Sequence, residues 1–428
     1  MRMVSQDLYK RARKVIPAGV TRPSRFFEPY PFYAEKAYGS KIVDFENNTY
    51  SDYWMSHGAI VLGHMHPAIV EATKEQLELG FHFGVCNEWE VKLAEQVTKL
   101  VSSVEMITFC NSGNESNMHA IRLARAYTKR NRIGKFEGHF HGVLEPLYVG
   151  ISGPTNKPES AGQDAFASKN TVVLPFHDPA ATYKIIKRRK LASVTIEVVT
   201  GGTAYPVDRE FLKGLREVCD DTDTLLIFDE VITGFRLAPG GAQEAFGVTP
   251  DLTVFGKAIG SGEFPVGAVG GKADIMELMD QLKHPKHSDH VVRGGTFVGN
   301  PLVTRAGYEA TKVYEKGEIY PQINKLGQRL MEGLEEAVKE ARASAHVTGY
   351  GSMSKLHFLK GKLKNFDLKS LRTHADHEIE KKYFHHLLSN GIFALTDSMV
   401  HFYVSPAHSE EEVEKLILTT RGFLESLK

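Results

Sequence analysis

Lys257 stands in a stretch of small residues, Gly256-Lys257-Ala258-Ile259-Gly260, immediately after the short apolar run 252–255. A lysine in apolar surroundings gives up its proton more readily, and the free amine can attack a carbonyl carbon. Two acidic positions share this kind of place. Glu197 follows the run 194–196, and Asp229 with Glu230 follows the run 224–228. A lone acid after a strand is ordinarily a solvated loop residue. Three charged positions at strand ends, one of them a lysine, change that reading, because open parallel sheets bind ligands outside the carboxyl ends of their strands. A fourth feature is strand, loop and helix in succession: the run 106–110 leads into Asn111-Ser112-Gly113-Asn114-Glu115 and a long helical stretch through Tyr127. The unpaired N–H groups and positive dipole of such a helix start hold a phosphate. Gly113 lets the backbone approach closely, and Ser112 and Asn114 add side-chain donors. No lysine follows the glycine, so this is not a Walker loop, and the spacing is not Gly-x-Gly-x-x-Gly.

These residues need elements to carry them. Residues 8–16 read as a short helix stopped by Pro17, followed by an arm rich in proline and aromatics over 18–32. Residues 41–45 and 49–53 flank Asn47-Asn48 as a hairpin. From about residue 65 helices alternate with short apolar strands, clearest at 106–110, 194–196, 224–228 and 252–255, which predicts a mostly parallel central sheet with helices on both faces. After Pro301 the chain turns helical: Ile323, Leu326, Leu330 and Leu334 recur at helical spacing, as do Val413, Leu416, Thr420 and Phe423. The expected division is an N-terminal arm and small-domain segment over 1–55, a large domain over 56–305, and a smaller α+β C-terminal domain over 306–428. The Gly-, Pro- and Ser-rich stretch 150–162 reads as a mobile loop near the site.

Composition narrows the function classes. With 42% hydrophobic and 24% charged residues, the 428-residue chain is ordinary globular protein, long enough for more than one core. A formal net charge of zero removes the electrostatic case for nucleic acid or anionic membrane as a general partner. Cys86, Cys110 and Cys219 are scattered, with no Cys-x-x-Cys spacing, which suggests reduced thiols in a cytoplasm. No apolar stretch approaches the roughly 20 residues that span a bilayer, and residues 1–14 lack a signal-peptide core. The expectation is a cytoplasmic protein. The pairs His64 and His66, His139 and His141, and the group His284, His287 and His290 lack a third ligand at zinc-like spacing. They read as cap, core and loop histidines, and no metal is expected.

The stretch Ile227-Phe228-Asp229-Glu230-Val231-Ile232-Thr233-Gly234-Phe235-Arg236 resembles the cofactor segment of the class III aminotransferases, enzymes of pyridoxal-phosphate fold type I. So does Pro250-Asp251-Leu252-Thr253-Val254-Phe255-Gly256-Lys257, with Gly267-Ala268 and Gly270-Gly271 downstream. The likeness runs from Val15-Ile16-Pro17-Ala18-Gly19-Val20 through Gly63-His64-Met65-His66-Pro67, Phe136-Glu137-Gly138 and Gly299-Asn300-Pro301 to Pro406-Ala407-His408-Ser409, nearly the whole chain. It implies that Lys257 carries pyridoxal 5'-phosphate as a Schiff base and shuttles the proton at the substrate carbon. Asp229 would pair with the pyridinium nitrogen and keep the ring an electron sink. Val231 would pack one ring face and Phe140, before His141-Gly142, the other. Ser112, Gly113 and Asn114 would form the phosphate cup, and His141 and Glu197 would line the cofactor site. Thr296, in Gly294-Gly295-Thr296, matches a threonine that the family donates to the neighbouring subunit's phosphate, which implies a homodimer with shared active sites.

Within the class the resemblance points two ways. Arg25 and Ser152 match the pattern of the glutamate-1-semialdehyde aminomutases, where they serve substrate carboxylate and loop contacts. Arg22, in Val20-Thr21-Arg22-Pro23, is instead similar to an arginine of the β-amino-acid aminotransferases that takes a carboxylate. The aminomutases carry Trp, Asn and Glu where this chain has His57, Gly202 and Val400, near substrate or cofactor. The expected activity is therefore amino-group transfer between an amino acid, of the β or ω kind, and a carbonyl compound. The alternative is the aminomutase reaction that yields 5-aminolevulinate. Arg22, Arg25, His57 and Ser152 are the expected substrate-binding residues.

Overall fold

The computed structural model describes residues 4–153, 155–361, 363, 368–394 and 400–428. Its backbone separates into two units, one of Met1–Pro67, Pro321–Phe366 and Ser370–Lys428, the other of Ala68–Tyr320 with Asp367–Lys369. The division differs from the expected one at both boundaries. Residues 56–67 group with the arm, because Gly39 and His64 exchange backbone hydrogen bonds of 2.9 and 2.8 Å and the His64 ring lies 2.8 Å from buried Asp52. Residues 306–320 group with the larger unit, because the helix Pro301–Glu315 packs on the helix Glu88–Leu100 and on the turn Lys257–Gly260.

In the first unit, strands β1 (Ala34–Tyr38), β2 (Lys41–Asp44) and β3 (Thr49–Asp52) form an antiparallel meander. Asn47 supplies the left-handed turn residue with φ 64°, as the Asn-Asn pair foretold. The first helix is Val4–Ala12, earlier than the expected 8–16. Its start is tied down by Ser5, whose N–H and hydroxyl both donate to Glu46 at 2.7 and 2.6 Å.

The second unit is built on a seven-stranded sheet. Its strands are β4 (Met106–Cys110), β5 (Ile133–Phe136), β6 (Thr171–Leu174), β7 (Ser193–Ile196), β8 (Leu225–Asp229), β9 (Leu252–Gly256) and β10 (Gly267–Gly271), in the order β4-β10-β9-β8-β7-β5-β6. β10 runs antiparallel to both neighbours, and the remaining ladders are parallel. Every residue of β7, β8 and β9 is buried, which is why β8 reads as an unbroken apolar run up to Asp229, while Ser193 and Thr195 in β7 and Thr253 in β9 are buried polar members of their strands. The carboxyl ends of β4, β7, β8 and β9 therefore lie along one edge. Close approach there depends on Gly267, where a Cβ would stand 2.2 Å from the Ser112 carbonyl oxygen.

The chain then returns to the first unit as β11 (Ala345–Tyr350), β12 (Met353–Phe358), β13 (Ile392–Phe393) and β14 (His401–Tyr403). β13 joins β3 in parallel, and the other three form their own sheet. The helices Ile319–Ala341 and Glu410–Glu425 bury Leu326, Leu330, Leu334, Val413 and Leu416 in one core with Tyr53, Phe358 and Phe402. Each such leucine contributes about 1.5–3 kcal/mol by leaving water.

Candidate cofactor and substrate site

Asp229 closes β8 and is buried. Its Oδ2 accepts from Asn117 Nδ2 at 2.9 Å and from His141 Nδ1 at 2.8 Å, and its Oδ1 accepts the Val231 N–H at 3.1 Å. A carboxylate offers about four acceptor sites, so capacity remains for a further cationic donor. Glu230, the next residue, faces other work. It accepts from the Thr233 hydroxyl and from the N–H groups of Ala242 and Gln243, which makes it a staple for the turn after β8. Burial pushes its carboxyl above the usual range against those hydrogen bonds.

Lys257 follows β9 directly and opens the turn Lys257–Gly260 with φ 50°. A non-glycine residue in the left-handed region stores strain and is a recognised mark of functional positions. Asp229 pairs in register with Val254, three residues before Lys257, so the acid and the amine belong to adjacent strand ends.

The helix Gly113–Thr128 begins beside them. Ser112 caps it, its Oγ accepting the Glu115 N–H at 3.2 Å. A Cβ on Gly113 would lie 2.7 Å from Val231 Cγ2, so only glycine permits this packing. The Asn114 Oδ1 accepts the Val143 N–H at 2.9 Å and ties the helix start to the segment after His141, which leaves the side-chain amide nitrogen for the donor role expected of it. Gly295 lies close to Asn111, and Thr296 beside it is exposed.

Glu197, just past β7, is buried and accepts the Phe140 N–H at 2.6 Å and the Gly201 N–H at 2.7 Å. Burial raises its pKa, His141 opposes that, and Asp229 adds to it. With its backbone pinned, Phe140 keeps a ring that is 48% exposed, suited to covering a flat ligand. The residues fit a pyridine ring with a phosphate: a buried acid, a helix start bared by glycine, an amine after a strand and an open aromatic face. His141 Nε2 and Asn117 Oδ1 are buried without a hydrogen-bond partner among the described residues, polar atoms that a bound group could use.

Asn117 was missed from the sequence. The available signal was its spacing, four residues after Gly113 and so one turn up the same helical face. Ser152 is present in the second unit, but its donors are engaged: its N–H and hydroxyl reach Glu159 Oε2 at 2.9 and 2.6 Å, beside the Ile151 N–H on Oε1 at 2.7 Å.

Arg22, Arg25 and His57 belong to the first unit. Arg22 Nη2 lies 2.8 Å from His57 Nδ1, and its guanidinium carbon 6.0 Å from the Trp54 ring centroid. Burial and then Arg25 lower the Arg22 pKa. Arg25 Nη1 donates instead to Thr21 Oγ1 at 2.9 Å. His57 sits in a run of left-handed residues, with φ 44°, 53° and 62° at Met55, Ser56 and His57. Val400, the other divergent position, is wholly buried in the core of this unit.

The family model described as aminotransferase class-III matches residues 25–418. A glutamate-1-semialdehyde 2,1-aminomutase from Methanopyrus kandleri is 38% identical over 430 residues, covering 99% of this chain and 97% of its own. Among solved structures, an omega-transaminase from Sphaerobacter thermophilus superposes with a TM-score of 0.90 at 35% identity, over 99% of this chain and 97% of its own. A β-phenylalanine aminotransferase from Variovorax paradoxus reaches a TM-score of 0.86 at 28% identity, over 99% and 94%.

Proposed function

Because the chain belongs to the class III aminotransferases, enzymes that work with pyridoxal 5'-phosphate, we propose that it moves an amino group between a β- or ω-amino acid and a carbonyl compound. When bound, the cofactor supplies an electron sink for the carbon that exchanges its amine. The Lys257 Nζ is the group that would hold the cofactor and then take and return the proton at that carbon. Asp229, fixed by Asn117, His141 and the Val231 N–H, supplies a negative charge for the ring nitrogen. The N–H groups at the start of Gly113–Thr128 would receive the phosphate, and Phe140 and Val231 would cover the two ring faces.

The observation that carries the substrate reading is the contact between Arg22 and His57. Arg22 is the arginine of the β-amino-acid pattern, and the residue it meets at 2.8 Å is the one that replaces the aminomutase tryptophan. A guanidinium presents a planar fork that matches a carboxylate, so Arg22 is the proposed clamp and Arg25 the bystander. A second reading, aminomutation of glutamate-1-semialdehyde, is favoured by the 38% identity to proteins of that name over nearly the full length. One half-reaction screen separates them. A panel of amino and keto acids is tested for conversion of the cofactor's visible band, with β-amino acids expected to react. Efficient formation of 5-aminolevulinate from the semialdehyde, with no keto acid added, establishes the aminomutase instead.

The proposed working form is a homodimer in which Thr296 serves the phosphate of the neighbouring subunit. Its support is an exposed apolar surface on the second unit. Leu79, Phe81, Val85 and Phe297 are 57–73% exposed, and the Phe297 ring lies 4.8 Å from that of His82. An apolar grouping of this kind marks an interaction surface.

A further inference from the structure

Lys135 lies in β5 and is completely buried. Its Nζ donates to three backbone carbonyls, those of His139 at 2.8 Å, Leu147 at 3.0 Å and Val149 at 2.6 Å. Three acceptors match the three donors of an ammonium, whereas a neutral amine has only two N–H groups. The acceptors come from both ends of one segment, residues 139–149, which leaves β5 and returns beside it. Gly138 N–H, donating to the Gly150 carbonyl at 2.7 Å, closes the base of the same excursion.

That segment carries Phe140 and His141, and its first turn is held from the other side as well. The Glu197 N–H donates to His139 Nδ1 at 3.0 Å, while Glu197 Oε1 takes the Phe140 N–H. His141 then meets Asp229 at 2.8 Å and Asn114 meets Val143 at 2.9 Å. A buried charge is costly unless its hydrogen bonds are complete, so a cation placed here enforces one path for the backbone around it. The geometry points to Lys135 as a positioning residue for the cofactor: its ammonium, gripped by three carbonyls, sets the segment that places Phe140 over the ring and His141 against Asp229. This rests on the site roles proposed above.

The test uses the purified holoenzyme and Lys135→Ala, which vacates a cradle of three carbonyls the size of an ammonium. Two properties are read: the rate at which cofactor is lost on dilution, and the wavelength of its visible band. We expect loss to quicken at least tenfold and the band to shift. Methylammonium chloride should restore both, and tetramethylammonium chloride at equal ionic strength should restore neither. Rescue by the small cation alone is a signature that general loosening of the fold does not produce. Wild-type retention and an unshifted band in Lys135→Ala, or equal rescue by both salts, overturn the inference. Should Lys135→Ala not fold, hydrogen exchange of the wild-type peptide spanning 138–150 decides: strong protection that persists when the cofactor is removed supports the clamp, and rapid exchange overturns it. Lys257→Ala keeps the two questions apart. If that variant still carries cofactor covalently, the site reading itself is wrong. If it does not, while Lys135→Ala is indistinguishable from wild type, only the role of Lys135 falls.

Discussion

Lys257 combines a left-handed backbone with a place directly after a buried strand, both consistent with the proposed task of reaching a ligand at the sheet edge. Lys257→Ala should lower turnover by several orders of magnitude, since the covalent anchor and the proton carrier are lost together. Borohydride treatment of the wild-type protein should leave the cofactor mass on the peptide containing Lys257; label on another lysine would contradict the assignment. Asp229 accepts three hydrogen bonds, and the amide oxygen of an asparagine can still take the two from Asn117 and His141 that share Oδ2. Asp229→Asn should therefore keep the fold and slow the chemical step, raising the barrier by roughly 3 kcal/mol, as loss of other oriented electrostatic groups does. Near-wild-type turnover in that variant would rule out the ring-nitrogen role.

At the scale of elements, the start of the helix Gly113–Thr128 leaves no room for a single added methyl group. Gly113→Ala puts a Cβ 2.7 Å from Val231 Cγ2, so the turn must shift away from β8. Each hydrogen bond to a charged phosphate is worth about 1.5–3 kcal/mol, so loss of one should raise the cofactor Kd by roughly ten- to a hundredfold, readable by equilibrium titration. The first unit offers a test of stability instead. Glu380, near the start of the helix His377–Ser389, is buried beside Lys355 Nζ at 3.2 Å. Burial would raise its pKa, but Lys355 and hydrogen bonds from His377 and the Val400 N–H outweigh that and bring it down from 4.5 to about 2. A depressed acid stabilises the fold above its unfolded pKa, so this contribution is complete above pH about 4.5 and is lost as pH falls toward about 2. Glu380→Gln should remove that pH dependence and cost about 3–5 kcal/mol near neutrality, because Lys355 is left buried without its partner. Denaturant titrations across this pH range measure both effects, and an unchanged acid limb in the variant would contradict the pairing.

For the whole molecule, the proposed sharing of active sites between two chains makes a prediction that no single chain can satisfy. Lys257→Ala and Thr296→Trp should each be inactive alone. Mixed after dissociation and reassociation, they should regain activity through hybrids in which one site has an intact lysine from one chain and an intact threonine from the other. An active monomer at assay concentration, by light scattering, would exclude the arrangement. No helix among the described residues is long and apolar enough to cross a membrane.

The strands β4, β7, β8 and β9, the helix at Gly113, and the acid and amine at strand ends were legible in the chain before any coordinates. Their signals are local: apolar runs buried on both faces, a glycine at a helix start, and charge just past an apolar stretch. The first helix was legible only in outline, because its start is set by Ser5 reaching Glu46, a contact between residues far apart in sequence. The antiparallel turn of β10, the Glu230 staple and the part of Asn117 were hidden for the same reason. Neighbouring acids such as Asp229 and Glu230 look alike in a sequence, and only the fold shows which one meets a histidine and an asparagine and which one spends its oxygens on backbone N–H groups. Lys135 is the clearest case. In the sequence it is one lysine before a phenylalanine, and its meaning comes from three carbonyls contributed 4, 12 and 14 residues later, which converge only once the segment 139–149 has folded back on β5.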